Sequence, residues 1–299
     1  MAEPRATTFP APIHATSADL PPAVRAAFEH RSSGRRAVIA AAGIPFATVE
    51  WGEPGDPPVL LVHGVTSLTG IWWRIGPALA AAGYRVIAID LPGHGATGAW
   101  SGRHRFADTA ADLAAFISAA GLDGSELGVI GHSWGALVAA RLPSAGLRPR
   151  VLILLDPPAL PVSIMETMTV DPVERRYDDL AEATRAIRAA YPAWTDGDVL
   201  AKAEGLTMFD ESAVRAVLLD NGDWDGGLAA LTDPRATGVA TWVVRGELAS
   251  GSLLPDAALP ALATRIGADH ILTVAGGPHS PQRTHPEATL VALLRALGR

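Results

Sequence analysis

Apolar and polar positions alternate with different periods along the chain. Residues 36–41 and 46–51 flank Gly43-Ile44-Pro45 and predict a β-hairpin, with β-favouring side chains in the second arm and the glycine at the bend. Val59-Leu60-Leu61-Val62, residues 84–89, the run ending at Ile130, and residues 151–155, 240–244 and 271–274 are short and mainly apolar. That form is expected of strands buried on both faces of a parallel sheet. Helical spacing returns between them. It does so from Trp72 to about Ala82, and again over residues 105–120, where Phe106, Ala110, Leu113, Phe116 and Ile117 form a stripe that excludes Asp108, Thr109 and Asp112. Alternating strands and helices predict an α/β fold, a mostly parallel sheet with helices on both faces.

The alternation stops between about residues 160 and 236. Helical patterns there cover 172–190, 196–202 and 211–219 without a convincing strand, which predicts a helical cap inserted over the sheet. The predicted organisation is an N-terminal extension over 1–35, a core made of 36–160 and 236–299, and a cap over 161–235. Within the extension, residues 1–20 are rich in Pro, Ala and Thr and are expected to lie against the surface or without fixed structure. Residues 21–31 predict a short helix with Asp19 as its cap.

One stretch carries chemistry. The apolar run ending at Ile130 is followed by Gly131-His132-Ser133-Trp134-Gly135 and then by an Ala/Leu/Val stretch able to form a helix. A strand that reverses into a helix within one residue strains the backbone at Ser133, and small residues at 131 and 135 allow the close approach. The serine hydroxyl is then presented above the carboxyl edge of the sheet, with the Trp134 N–H available to a developing oxyanion.

Composition narrows the remaining possibilities. The 299 residues are 48% hydrophobic and 18% charged with a net charge of -7, so no basic nucleic-acid footprint is present. The absence of cysteine excludes disulfides and any cysteine-built zinc or iron–sulfur site. No apolar run is long enough for a membrane span, and the first residues lack the apolar segment of a secretory signal. A cytoplasmic protein is expected, with its oligomeric state open.

His63-Gly64 after one strand, Asp90-Leu91-Pro92-Gly93-His94-Gly95 after the next, the Ser133 turn, and Gly276-Gly277-Pro278-His279-Ser280-Pro281 occur in that order. In this ordered combination the chain resembles the α/β-hydrolase fold family over residues 36–160 and 236–299. The resemblance implies Ser133 as nucleophile, His279 as base, and backbone N–H groups of Val65 and Trp134 as the oxyanion hole. Independently, residues 271–274 read as a strand whose following loop carries His279 back toward the serine. His63 and His94 read as structural parts of their loops. His285 is expected near the start of the last helix, His270 before the strand, and His132 pointing away from Ser133.

The imidazole requires a buried carboxylate to fix its tautomer. In the commoner family arrangement the acid follows the strand at 240–244, but there the chain reads Glu247-Leu248-Ala249-Ser250-Gly251-Ser252, with Ala249 or Ser250 where relatives carry Asp. The other arrangement, as in zearalenone-type lactonases, places it after the strand that follows the elbow helix, where Asp156-Pro157-Pro158 stands. Asp156 is preferred and Glu247 is the alternative, against a reading of Asp156 as a simple turn former.

A serine hydrolase of a moderately large, largely apolar carboxylic ester or lactone follows, with no metal or organic cofactor required. Trp73, Trp134, Met165, Tyr191, Trp194, Met208 and Phe209 are expected to line its pocket. Two other readings use the same residues. One is hydrolysis of a carbon–carbon bond in a diketone ring-cleavage product, for which a pocket cation would speak, Arg175, Arg176, Arg185 and Arg188 being available in the cap. The other is a ligand-binding protein on a hydrolase scaffold that has lost its chemistry.

Overall fold

The computed structural model describes residues 7–30, 32–98, 102 and 104–299. The first six residues of the extension, and Arg31 at the end of its predicted helix, lie outside them. The strands are β1 (Arg35–Ala41), β2 (Ile44–Trp51), β3 (Pro58–Val62), β4 (Arg85–Ile89), β5 (Gly128–His132), β6 (Val151–Leu155), β7 (Ala159–Leu160), β8 (Trp224–Asp225), β9 (Ala240–Arg245) and β10 (Ile271–Thr273). Eight of them form one sheet in the order β1-β2-β4-β3-β5-β6-β9-β10. The β1–β2 hairpin and the β2–β4 pair are antiparallel, and every other neighbour in the sheet is parallel.

The helices are α1 (Pro22–Glu29), α2 (Ile75–Ala81), α3 (Phe106–Ala119), α4 (Trp134–Ala139), α5 (Val162–Met168), α6 (Leu180–Ala190), α7 (Asp196–Thr207), α8 (Glu211–Leu219), α9 (Leu228–Thr232), α10 (Leu259–Ile266), α11 (Pro281–Thr284) and α12 (Pro286–Ala296). Two layers of them explain why the central strands read as unbroken apolar runs. In β3, Val59 and Leu61 pack into the cluster that contains Val24 of α1, Leu79 of α2 and Leu293 of α12. Leu60 and Val62 point into the opposite cluster, with Phe116 of α3, Leu137 of α4 and Leu262 of α10. Successive side chains alternate faces and both faces are dry, so a polar residue at any of these positions would lose its water.

The chain between β6 and β9 forms an insert of α5 to α9. Its ends are tied by the antiparallel pair β7–β8, which the sequence pattern did not predict because two residues are too few for alternation to register. The helix predicted over 172–190 starts only at Leu180. Asp179 caps it by accepting the Glu182 N–H, while upstream Asp171 accepts the N–H groups of Val173 and Glu174 and holds a turn instead.

Of the extension, Ile13 joins the edge of the sheet. Ile13 donates to the Thr273 carbonyl and accepts from the Ala275 N–H, a one-residue parallel bridge beyond β10. Asp19 does not cap α1; its carboxylate accepts from the N–H and hydroxyl of Thr16 in the preceding turn. Among the described residues no helix is long and apolar enough to cross a membrane.

Candidate active site

Ser133 stands between the end of β5 and the start of α4 with φ 55° and ψ -123°. Its N–H donates to the Leu155 carbonyl at 3.0 Å, which ties the turn to β6. A Cβ on Gly135 would come 2.5 Å from the His63 carbonyl oxygen, and one on Gly131 would strike the carbonyl of Gly135. Both obstacles are main chain, so the strained serine is held by neighbours that only glycine permits.

His279 lies in the loop between β10 and α11. Its Nε2 is 2.9 Å from Ser133 Oγ and its Nδ1 is 2.7 Å from Asp156 Oδ2. Since Asp156 accepts only, Nδ1 carries the proton and Nε2 is left to accept from the serine hydroxyl. Asp156 follows β6 with φ 43° and is fully buried. Its Oδ1 accepts from the Gly246 N–H at 2.9 Å and Ser252 Oγ at 2.6 Å, and its Oδ2 from the Leu253 N–H at 3.0 Å as well as His279. Burial alone would raise the pKa of this carboxyl. The hydrogen bond and charge of His279, with the Ser252 and Leu253 donors, hold it below the ordinary carboxylate value.

Ser133, His279 and Asp156 are thus brought together, and Glu247 is not. Among the described residues the Glu247 carboxylate has no hydrogen bond or ion pair, and its backbone carbonyl accepts from the N–H groups of Ser250 and Ser252. The irregular loop after β9 supplies three donors to Asp156 and no acid of its own.

The His63-Gly64 loop passes directly against the serine, since a Cβ on Gly64 would lie 2.8 Å from Ser133 Cβ. The N–H groups of Val65 and Trp134 have no protein acceptor among the described residues. His63 accepts the Leu91 N–H at Nε2 and donates from Nδ1 to the Gly64 carbonyl. Burial pushes its pKa down to about 4, so it is a neutral spacer between two loops. His94 is also buried, and burial together with the nearby His63 pushes it down to about 3; its loop bonds to the insert through Gly95 N–H to Met208 and Asp210 N–H to Gly93.

His132 was expected to point away from Ser133. Instead its Nε2 donates to the His279 carbonyl at 2.9 Å, and the two rings lie 5.0 Å apart. Ser252, Lys202 and Arg283 were also missed. They are polar groups that matter only through what the fold places beside them, and no spacing in the sequence marks them.

A cavity of about 780 Å³ opens over Ser133 and His279 between the sheet edge and the insert. Met165, Tyr191, Trp194 and Phe209 line it as expected from sequence, whereas Trp73, Trp134 and Met208 do not. Trp73 turns its Nε1 to Asp198, Trp134 is enclosed against His63 and His94, and Met208 is solvent-exposed. The lining also carries Asp171, Glu174, Arg175, Arg176, Lys202, Arg215 and Arg283, so it is more polar than a pocket for a purely apolar molecule.

A family model described as alpha/beta hydrolase fold matches residues 57–249. The chain is 31% identical over 264 residues to lipase LipV of Mycobacterium tuberculosis, covering 83% of this chain and 96% of that one. It is 36% identical over 125 residues to epoxide hydrolase A of the same organism, which covers 40% of this chain and 37% of that enzyme. Among solved structures, E-2-(acetamidomethylene)succinate hydrolase matches with a TM-score of 0.73 at 21% identity, covering 89% of this chain and 99% of that one. An esterase from Rhodococcus sp. matches with a TM-score of 0.69 at 21% identity, covering 89% and 98%.

Proposed function

The chain belongs to the alpha/beta hydrolase fold family, and from that premise we propose that it is a serine hydrolase cleaving carboxylic esters or lactones through an acyl-enzyme. The observation that carries this reading is the unbroken relay from Ser133 Oγ through His279 to Asp156, with contacts of 2.9 and 2.7 Å. In the proposed cycle His279 Nε2 takes the hydroxyl proton as Ser133 Oγ bonds to the substrate carbonyl carbon. The oxyanion is held by the N–H groups of Val65 and Trp134, which lack other acceptors. The tetrahedral adduct breaks its bond to the leaving alkoxide, which receives the proton from His279. A water molecule, deprotonated by the same imidazole, then adds to the acyl carbon and releases the acid and free Ser133.

Epoxide opening is disfavoured by the nucleophile itself. Attack of a serine oxygen on an epoxide carbon would give an ether, with no carbonyl for water to attack, and the enzyme would not turn over. A second reading, hydrolysis of a carbon–carbon bond beside a ketone, draws support from the cations in the cavity lining, since such ring-cleavage products carry carboxylates. Activity against p-nitrophenyl esters, lactones and ring-cleavage diketones separates the two. Mass spectrometry after a serine-directed organophosphorus probe tests both against a non-catalytic scaffold. One adduct is expected on the wild type and none on Ser133→Ala, and an unlabelled wild type would remove the proposal.

A further inference from the structure

Two cations in the cavity wall are buried, and they differ in how they are compensated. Lys202 of α7 pairs with Glu174 and donates to the hydroxyl of Thr66 at 2.9 Å and its carbonyl at 3.3 Å, so its charge and donors are matched within the protein. Arg283 of α11 is only 5% exposed and is in no ion pair among the described residues. Among the described residues its one hydrogen bond runs from Nη1 to the main-chain carbonyl of Asp198 at 3.0 Å. The nearest candidate counter-ion is already occupied: the Asp198 carboxylate takes Trp73 Nε1 at 3.0 Å, Arg74 at 3.4 Å and the Thr195 hydroxyl at 2.6 Å.

A guanidinium left in this way is costly, because removing a cation from water is offset only by a charge or a full set of acceptors. The remaining donors of Arg283, Nε and Nη2, have no protein acceptor among the described residues, and neither is sealed away from the cavity. The side chain is also oriented. Its guanidinium carbon lies 4.8 Å over the ring of Trp194, which stacks on Tyr191 at 4.1 Å and an interplanar angle of 9°. A guanidinium presents its N–H groups in one plane, the fork that grips a planar carboxylate with two parallel bonds, and the aromatic contact helps to hold it in place. Arg283 follows His279 by one turn, and Ser280, Arg283 and Thr284 share the cavity face of that turn.

We infer that Arg283 is a carboxylate-recognising subsite and that the substrates are esters bearing a second, free carboxylate, such as half-esters of dicarboxylic acids. This rests on the serine-hydrolase reading and specifies its substrate class. Asp171, in the same wall, sets a limit: it disfavours a second anion placed away from the guanidinium plane, which makes the recognition positional and not a general attraction for negative charge.

The test compares mono-p-nitrophenyl glutarate with p-nitrophenyl pentanoate, which match in length and differ in the terminal carboxylate. In the wild type kcat/KM for the charged ester should exceed that for the neutral one by about tenfold or more, the worth of one charge-assisted pair. The ratio should fall to about one in Arg283→Gln and recover in part in Arg283→Lys. Free glutarate, but not glutaramide, should compete with the neutral ester on wild-type protein, a measurement that needs no variant. A wild-type ratio of one or below, an unchanged ratio in Arg283→Gln, or equal effects of glutarate and glutaramide would overturn the assignment while leaving ester hydrolysis intact. If no ester turns over, the ester-hydrolase reading fails instead, and protection of Ser133 from the organophosphorus probe by glutarate still reports on the subsite.

Discussion

Four described non-glycine residues have positive φ: Ala42 in the β1–β2 turn, and Thr66, Ser133 and Asp156 at the site. Strain of that kind costs about 1–3 kcal/mol per residue and persists only where surroundings over-determine it. Here Thr66, Ser133 and Asp156, in the proposed oxyanion loop, nucleophile and acid, are each so held, by Lys202, by the flanking glycines and by the loop after β9 respectively. The same donors favour Asp156 over Glu247 as the proposed acid. Asp156→Asn keeps the shape but cannot hold the imidazole in its tautomer, and kcat should drop by about 10⁴. Glu247→Gln, whose carboxylate bonds to nothing described, should stay within about twofold of wild type. Steady-state kinetics on a p-nitrophenyl ester measure both, and equal activity in the two variants would refute the assignment of the acid.

Contacts between elements connect the insert to the sheet edge that carries Ser133 and the loop of Thr66. Lys202 of α7 is bound to Thr66, the residue after the proposed oxyanion donor, and to Glu174, so α7 and the segment before α6 together brace that loop. Lys202→Met takes the counter-ion from Glu174, which keeps the Thr66 hydroxyl as a donor, and a donor from the Thr66 carbonyl. Breaking a buried pair costs ~3–5 kcal/mol, and the low end is expected because a quarter of Glu174 is exposed. Urea unfolding at pH 7 reads that loss directly, and a change under about 0.5 kcal/mol would mean the pair braces nothing. Elements of this kind also mark what could be read beforehand. β3 and β6 were legible because burial on both faces makes them unbroken apolar runs, α8 because one buried face leaves a stripe of Ala213, Val214, Val217 and Leu218, and the hairpin because β-favouring residues flank a glycine bend. By contrast α5 leaves Ile164 and Met168 exposed, so its apolar residues trace no clean stripe. Lys202 sits on a helix face with Val199 and Leu206, where a lysine reads as a solvent-facing break, and only the three-dimensional neighbours reveal it as buried. The acid was legible as a choice of two because strand ends are predictable, while the donors from Gly246, Ser252 and Leu253 that favour Asp156 depend on how β9 and β6 sit side by side.

At the scale of the whole molecule, His63, His94 and His132 lie within the folded interior as neutral rings. Burial lowers the pKa of all three, His63 to about 4 and His94 to about 3. The unfolded chain takes up these protons near the ordinary value of 6.5, so between that value and the folded ones it binds more protons than the native state. Stability therefore rises with pH across this window: the contribution is complete above about 6.5 and is lost as the solution is acidified toward 4 and below. Asp156, also lowered, acts in the same direction but only below its ordinary 3.8. The urea midpoint should fall between pH 7 and pH 5, and His94→Asn, whose amide can replace the Nδ1–H bond to Pro92, should flatten the slope by up to ~1.4 kcal/mol per pH unit. An unaltered slope would mean that His94 does not titrate on unfolding. The bridge that Ile13 forms along β10 has a different consequence. It covers the outermost margin of the sheet a few residues before His279. A chain clipped past Ile13 would bare the Ala275 N–H and the Thr273 carbonyl to any neighbouring molecule, so proteolytic trimming or a short fusion there would invite self-association and loosen the start of the loop that carries His279.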